Sequence, residues 1–152
     1  MTHKYEDCID LGMKDITNTQ LAEMVSGGEI PNDATALLMN NNNISDLSPL
    51  IKLVNLTNLN LGCNPISDLS PLAKLVNLTC LNVAVAQVSD LSPLSELVNL
   101  RGLNLAYNRI SDITPLSKLI KLNWLYIPKN NIDNEQIDQI RKVLPNCKIE
   151  HI

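Results

Sequence analysis

A repeat of 22 residues runs through most of this sequence and constrains its fold more than any other feature. Four segments of that length align without a gap, and a degenerate line that ends ATALLMNNNN (34–43) precedes them. A single segment cannot bury all its leucines, so the segments must stack as coils of a solenoid. They are ISDLSPLIKLVNLTNLNLGCNP (44–65), ISDLSPLAKLVNLTCLNVAVAQ (66–87), VSDLSPLSELVNLRGLNLAYNR (88–109) and ISDITPLSKLIKLNWLYIPKNN (110–131).

Apolar residues occupy fixed columns of the alignment, and stacking turns each column into a continuous buried row. Phe is absent and aromatic residues make up only 3% of the chain, so aliphatic side chains must fill the core. Each buried Leu or Ile contributes about 1.5–3 kcal/mol, so these columns dominate stability. Three of them are Leu37, Leu59, Leu81, Leu103 and Leu125; Met39, Leu61, Val83, Leu105 and Ile127; and Ile44, Ile66, Val88, Ile110 and Ile132.

We predict a single domain (1–152), with the repeats in residues 34–131. Each repeat predicts a short strand and a helical turn on the return path. In TNLNL, Leu59 and Leu61 alternate with asparagines, which is the pattern of a half-buried strand. Ser48-Pro49 and its equivalents begin the helical turn, because serine caps a helix and proline suits its first position.

The N-terminal segment, residues 1–33, is predicted to cap the solenoid and cover its first leucines. Residues 19–26 form a helix, with Asn18 as its cap and Gly27-Gly28 as its stop. Residues 1–16 are expected to add helix or turn.

The C-terminal segment, residues 132–152, is predicted to cap the other end. Residues 134–144 place Ile137, Ile140 and Leu144 on one face of a helix. The terminal stretch CKIEHI is expected to add a last strand.

The pattern LxxLxLxxNxI followed by xDLxPLxxL resembles the leucine-rich repeat family over about residues 35–132. It is most similar to the 22-residue class of bacterial internalins and of a eukaryotic phosphatase-regulating subunit. The resemblance implies an α/β right-handed solenoid with a parallel β-sheet on the concave side, 3₁₀ or extended segments on the convex side, and helical caps. It also implies that the concave face recognises proteins.

Composition argues against several other classes of protein. A net charge of −4 and a pI near 5.0 argue against nucleic-acid binding. The sequence has no apolar run of signal-peptide or membrane-spanning length, which predicts a cytoplasmic protein. We also find no nucleophile–base pair, phosphate-binding glycine loop or metal-ligand spacing, and so expect no enzymatic activity, cofactor or metal.

The four cysteines are predicted to stay unpaired. Cys8 and Cys147 belong to opposite caps. Cys80 lies in the middle of a strand, whereas Cys63 follows the end of the neighbouring strand, roughly 16 Å away along the strand direction. A disulfide needs Cα atoms within about 7 Å of each other. Free thiols fit a reducing cytoplasm.

Two polar columns have structural explanations. Asn42, Asn64, Asn108 and Asn130 follow the strands, where an amide can bond the backbone of its own coil and the next. Ala86 interrupts this asparagine ladder once, either by drift or to leave a loop that adapts to a ligand. The other column is predicted to accept bonds from backbone N–H groups of its own turn: Asp46, Asp68, Asp90 and Asp112.

Outward-pointing strand positions predict the binding face. Three of the four aromatic residues, Tyr107, Trp124 and Tyr126, fall on the last two strands. They accompany Arg101, Lys129 and Val85, with Asn60, Asn82 and Asn104 beside them. Trp, Tyr and Arg are enriched in binding hot spots. The alternative is that Trp124 and Tyr126 pack against the C-terminal cap.

These observations favour a non-enzymatic module that binds a protein partner through the concave sheet, as a monomer. A dedicated inhibitor, such as an immunity protein for one toxin or a regulator of one enzyme, is the alternative. The five outward rows from residue 35 to 129 contain none of the 16 acidic residues, so blocking a basic nuclease with this face is disfavoured.

Overall fold

The computed structural model describes residues 8–152, in which seven parallel strands form a single sheet in chain order. The acidic start of the chain, residues 1–7, lies outside the described part. The strands are β1 (Cys8–Asp10), β2 (Ala36–Leu38), β3 (Asn58–Asn60), β4 (Cys80–Asn82), β5 (Gly102–Asn104), β6 (Trp124–Tyr126) and β7 (Lys148–Glu150).

The return paths of the inner coils are short 3₁₀ turns, and α-helices replace them in the first and last coils. The helices are α1 (Asn18–Ser26) and α2 (Asn134–Val143). The 3₁₀ turns span Ser48–Lys52, Ser70–Lys74, Ser92–Leu94 and Thr114–Lys118. The predicted α/β solenoid, with a parallel sheet, short 3₁₀ segments on the return paths and a helix in each end segment, is confirmed.

The register of the sheet reproduces the 22-residue repeat. Leu59 pairs with Leu81, which pairs with Leu103, so equivalent residues lie side by side. The terminal coils are longer, because β1 pairs with β2 through Cys8 and Ala36, and β6 pairs with β7 through Trp124 and Lys148. In these coils an α-helix replaces the 3₁₀ turn of the return path.

The core is the set of stacked leucine columns. Leu37, Leu59, Leu81, Leu103 and Leu125 are each at most 2% exposed, as predicted. At the two ends of the solenoid, Leu21 and Val25 of α1 and Ile137 and Ile140 of α2 close the same cluster. The helices therefore shield the outermost rows from water.

The N-terminal segment differs from its prediction in two ways. Residues 8–10 form strand β1, where helix or turn was expected. The cap of α1 is Thr17, which makes a reciprocal capping box with Gln20. Asn18 instead bonds across to the next coil, where its Oδ1 accepts from the N–H groups of Ser45 and Asp46. Threonine and asparagine both suit a cap, so the residue type alone does not distinguish Thr17 from Asn18.

At the C-terminal end the predicted helix and last strand are both present. Helix α2 ends at Val143, one residue before the expected limit, and Asp133 caps its start by accepting from the N–H of Gln136 at 2.8 Å. The Gln136 side chain also bonds the Ser111 carbonyl and the Ile113 N–H of the preceding coil. These bonds hold α2 against the convex side.

Candidate protein-binding face

The register places the predicted site residues of β3 to β6 in adjacent rows on one face of the sheet. Asn60, Asn82, Asn104 and Tyr126 are successive partners in the central row. The sheet continues this row to Asp10 in β1 and Glu150 in β7. Sequence reasoning missed both acidic ends, because it placed no strand in residues 1–16 and assigned no register to the last one.

Trp124 lies flat across the strand before its own. The space that a Cβ atom on Gly102 would fill is taken by the Trp124 indole. The glycine therefore allows the indole to lean toward β4, away from α2, which packs on the convex side. Trp124 and Tyr126 remain 42% and 37% exposed.

A shallow concavity of about 200 Å³ lies on the N-terminal side of this indole. Its walls are the Trp124 ring, the half-buried Cys80, and the amides of Asn58, Asn60 and Asn82. A second concavity, of about 280 Å³, lies between Asn104, Tyr126 and the Lys148–Glu150 ion pair. The face is thus divided by an aromatic ridge into two open hollows.

The three central asparagines share one orientation. Their Oδ1 atoms accept bonds from the backbone N–H two residues later: Gly62 to Asn60 at 3.1 Å, Ala84 to Asn82 at 2.9 Å, and Ala106 to Asn104 at 3.1 Å. Because a backbone N–H can only donate, these bonds identify the oxygen of each amide. The Nδ2 group is therefore the end that faces away from the strand.

Charge on this face is sparse and mostly positive. Arg101 is exposed at the start of β5, and Lys129 is exposed after β6. At the far edge, the Nζ of Lys148 lies 2.6 Å from the Glu150 carboxylate, which raises the pKa of Lys148 through a hydrogen bond and charge attraction. Lys148 and Glu150 therefore neutralise one another.

A row at the end of the strands adopts a left-handed backbone conformation. The residues are Asn41, Cys63, Val85, Tyr107 and Lys129, with φ between 55° and 60°. Asparagine tolerates this region, whereas a β-branched residue such as Val85 is strained there by about 1–3 kcal/mol. The conformation turns the side chains of Val85 and Tyr107 outward, and they are 50% and 54% exposed.

The asparagine ladder is fully bonded, as the sequence predicted. The Oδ1 of Asn108 accepts from the N–H of Val88 at 3.0 Å, and its Nδ2 donates to the carbonyls of Val83 and Leu105 at 2.9 and 3.0 Å. Asn64 and Asn130 repeat this arrangement, and Asn42 extends it to the N-terminal segment. Each rung joins two neighbouring coils.

The gap at Ala86 is compensated locally. By analogy with the other rungs, an asparagine there would accept from the N–H of Ile66, which instead donates to the Asn64 carbonyl at 2.8 Å. This bond closes a three-residue turn around Pro65, whose fixed φ near −65° suits an inverse γ-turn. The missing rung therefore leaves no orphaned donor at Ile66.

The aspartate column caps the 3₁₀ turns. Oδ1 of Asp68 accepts from the Ser70 N–H at 2.8 Å, and Asp46, Asp90 and Asp112 do the same in their coils. The expectation that serine caps these turns was wrong, because its side chain makes no capping bond. Bonds from the Ser70 hydroxyl and N–H lower the pKa of Asp68, and equivalent bonds lower the pKa of Asp90 and Asp112.

An exposed aliphatic row on the opposite edge was missed from the sequence. It consists of Val54, Val76, Val98 and Ile120, all exposed, where the chain turns back from the convex side toward the sheet. Side chains in the next column tie these turns together, as when Asn77 Nδ2 donates to the Val54 carbonyl at 2.9 Å. The 22-residue alignment shows the column, but only the structure shows that its side chains face water.

Other site chemistry is sparse in the described chain. All four cysteines are unpaired. Within residues 8–152, no group of three His, Cys, Asp or Glu side chains is arranged to hold a metal ion. None of the helices over the same range has the length and apolar character that a membrane crossing requires.

The family profile that describes two copies of the leucine-rich repeat matches residues 35–74 and 76–118, which together exceed half of the chain. This chain belongs to the leucine-rich repeat family. Members are typically protein-interaction modules, and they are generally binding scaffolds without catalytic activity. No curated protein sequence matches this chain.

Solved structures agree with the family and its internalin-like class. An internalin (inlF) from Listeria monocytogenes is 31% identical, with a TM-score of 0.66 over 89% of this chain and 46% of its own. Internalin C2 from the same organism is 28% identical, with a TM-score of 0.64 over 95% of this chain and 72% of its own. The TLR13–ssRNA13 complex is 29% identical, with a TM-score of 0.74 over 95% of this chain and 21% of its own. This leucine-rich repeat protein therefore spans less than half of the inlF chain.

Proposed function

We propose that this leucine-rich repeat protein is a non-enzymatic module that binds a protein partner through its concave sheet. The observation that carries the proposal is the Trp124 indole, 42% exposed, lying across Gly102 between two open hollows. A large aromatic surface held in place at little entropic cost is the kind of anchor that dominates protein interfaces.

The proposed contact residues are Trp124, Tyr126, Tyr107, Arg101, Lys129, Asn104, Asn82, Asn60 and Val85. Around the aromatic residues, Gly62, Ala84 and Ala106 are small and leave the end of the sheet flat. The strain at Val85 supports this assignment, because rare backbone conformations that cost stability occur preferentially at functional sites. The strained residue presents an apolar side chain beside exposed Tyr107 in the next coil.

The compartment and the class of partner are part of the proposal. The four unpaired thiols are what a reducing cytoplasm favours. One structural neighbour is a complex with single-stranded RNA. We nevertheless propose a protein partner, because this chain has a net charge of −4 and the concave rows from β2 to β6 contain only two cations. We also propose that the protein is a monomer.

The decisive experiment compares two double variants. The wild-type protein is used to capture its partner from a lysate of the source organism, and the affinity of the purified partner is measured by calorimetry. Trp124→Ala with Tyr126→Ala should weaken binding at least about a hundredfold, because two anchors of roughly 2 kcal/mol or more are removed. The thermal midpoint of the double variant is measured in parallel, to separate loss of binding from loss of folding.

The matched control removes apolar surface from the other edge of the solenoid. Val98→Ala with Ile120→Ala truncates two exposed side chains of the aliphatic row and should leave affinity unchanged. If this control loses the partner while the concave variant keeps it, the aliphatic row is the interface and the proposal is wrong.

Gly102→Ala provides a second variant, in which the tryptophan is retained but displaced. An alanine Cβ cannot share the space of the indole, and the exposed ring can rotate away. We expect folding stability to change by less than about 1 kcal/mol, since alanine is no worse than glycine in a strand. Partner affinity should fall by at least about tenfold if the position of the ring matters.

A further inference from the structure

We infer that the middle of the concave face is a hydrogen-bond donor surface that receives a short acidic segment of a protein, with one or two carboxylates bound at the Nδ2 groups of Asn82 and Asn104. This inference rests on the proposed function and deepens it, because it specifies the chemistry of the partner. Three independent features of the face support it.

The first feature is the fixed polarity of the amides. The N–H groups of Ala84 and Ala106 occupy the Oδ1 atoms of Asn82 and Asn104. Within residues 8–152, the Nδ2 groups of these two asparagines donate to no protein acceptor, and both side chains are half-buried. A surface of amides that could present either end has no charge preference, whereas this one presents N–H donors and is complementary to acceptors.

The second feature is the local charge. The concave rows of β2 to β6 and their flanking positions contain Arg101 and Lys129 and no acidic residue, in a chain with 16 acidic residues. Carboxylates that accept charge-assisted or amide hydrogen bonds gain more than neutral acceptors do. The face therefore attracts anionic acceptors despite the net charge of −4 on the whole protein.

The third feature is the size of the donor surface, which limits the length of the acidic segment. Asp10 and Glu150 end the central row on the two sides. The Nδ2 of Asn60 also donates one hydrogen bond to Asn40 Oδ1, at 3.3 Å. The donor row spans two strand spacings from Asn60 to Asn104, or about 10 Å. One or two carboxylates fit there, whereas a long polyacidic chain would meet the acids at both ends.

The Trp124 indole borders both halves of this surface. It lines the hollow of Asn82 and the hollow of Asn104, and provides an apolar plane for the methylene groups of an aspartate or glutamate. The same surface is poorly suited to a nucleic-acid backbone, because phosphate binding depends on many cations. The concave rows of β2 to β6 carry only two cations, Arg101 and Lys129.

The test uses isosteric charge changes that keep the fold. Asn82→Asp with Asn104→Asp retains the oxygens that accept from Ala84 and Ala106, and replaces both free donors with carboxylate oxygens. The chain itself shows that aspartate fits this position, because Asp10 Oδ1 accepts from the Gly12 N–H at 3.0 Å in the same row. Asn55→Asp with Asn146→Asp adds the same charge at exposed positions outside the strands and outside the central row, and is the matched control.

The probes are peptides selected for binding from an unbiased library of 12-residue sequences, and a single-stranded RNA of equal length. Binding is followed by ¹⁵N NMR spectra, which report the Asn82 and Asn104 side-chain amides and the single Trp124 indole. We expect the selected peptides to be rich in Asp and Glu, to shift these three signals, and to weaken with added salt. The Asn82→Asp/Asn104→Asp variant should bind them at least about tenfold more weakly, because like charges then face each other. The control variant should bind normally.

Four results overturn the inference. Neutral or basic peptides that shift the concave signals would refute the acidic segment and leave the proposed function standing. Peptides that shift only convex signals, or a library that yields no binder, would refute both the acidic segment and the proposed function. RNA that shifts the concave signals more strongly than any selected peptide would show that phosphate, and not a protein carboxylate, is the acceptor that this surface takes.

Discussion

Two columns of asparagine lie four residues apart in the repeat and serve different purposes. In the ladder, represented by Asn108, both ends of the amide bond the backbone and the side chain is buried. In the central concave row, represented by Asn104, only the oxygen is bonded and the nitrogen faces outward. The residue type is identical, so the number of backbone groups within reach decides whether both ends of the amide bond the coil or one end stays free on the concave face.

The largest expected effect comes from one isosteric change, asparagine to aspartate, made separately in each of the two columns. Asn108→Asp replaces an Nδ2 that donates to two carbonyls with a buried oxygen that repels them. We expect a loss of at least about 3 kcal/mol in unfolding free energy, measured by urea denaturation. Asn104→Asp keeps its single bond and should change stability by less than about 0.5 kcal/mol. Equal losses at the two positions would show that the columns are not functionally distinct.

A smaller effect concerns the missing rung of the ladder. Ala86→Asn should stabilise the protein by less than about 1 kcal/mol, because the Ile66 N–H already has a partner across Pro65. Replacing Pro65 with arginine, the residue at the equivalent position 109, removes the constraint that favours this local turn. In a double-mutant cycle, Ala86→Asn should therefore stabilise the Pro65→Arg variant more than the wild type. A destabilising Ala86→Asn would mean that the loop geometry excludes an amide.

The smallest effect concerns the aspartate column, where the carboxylate accepts the N–H two residues later as the central asparagines do. Hydrogen bonds lower the pKa of Asp68, Asp90 and Asp112 in the folded state. Their stabilising contribution is therefore complete above the unfolded pKa near 3.9 and is lost as the pH falls through the lower folded values.

This dependence is measured as the urea midpoint between pH 6 and pH 2. The triple variant Asp68→Asn, Asp90→Asn and Asp112→Asn retains an accepting oxygen and removes the titration. It should show a shallower loss of stability on acidification than the wild type. An unchanged acid slope would mean that other carboxyl groups account for the pH dependence.

Much of the fold could be predicted from the repeat, because stacking identical coils requires that equivalent residues lie side by side. The buried columns, the ladder and the aspartate caps of the 3₁₀ turns all follow from that condition, whereas the C-terminal helix follows from the helical spacing of Ile137, Ile140 and Leu144. The N-terminal coil could not be predicted in the same way. Its strand, Cys8–Asp10, lies 28 residues before Ala36, outside the 22-residue register, and carries no alternation strong enough to identify it.

The candidate face was predictable in position and not in detail. Alternation along each strand places Trp124 and Asn82 on the outer surface, because successive side chains of a strand point to opposite sides. It says nothing of where the indole leans or which end of an amide is free. Those facts depend on the absence of a Cβ at Gly102 and on the N–H of Ala84.

The sequence by itself determined the stacked solenoid, because the leucine columns leave a repeating chain no other way to remove its apolar side chains from water. Only the tertiary structure decided the character of the concave face. Its polarity comes from backbone N–H groups that capture the amide oxygens, and its ridge comes from a tryptophan that crosses to the neighbouring strand. Both depend on which atoms lie close together in three dimensions. The repeat pattern specifies that proximity for equivalent residues of neighbouring coils, and not for side chains that cross to another strand.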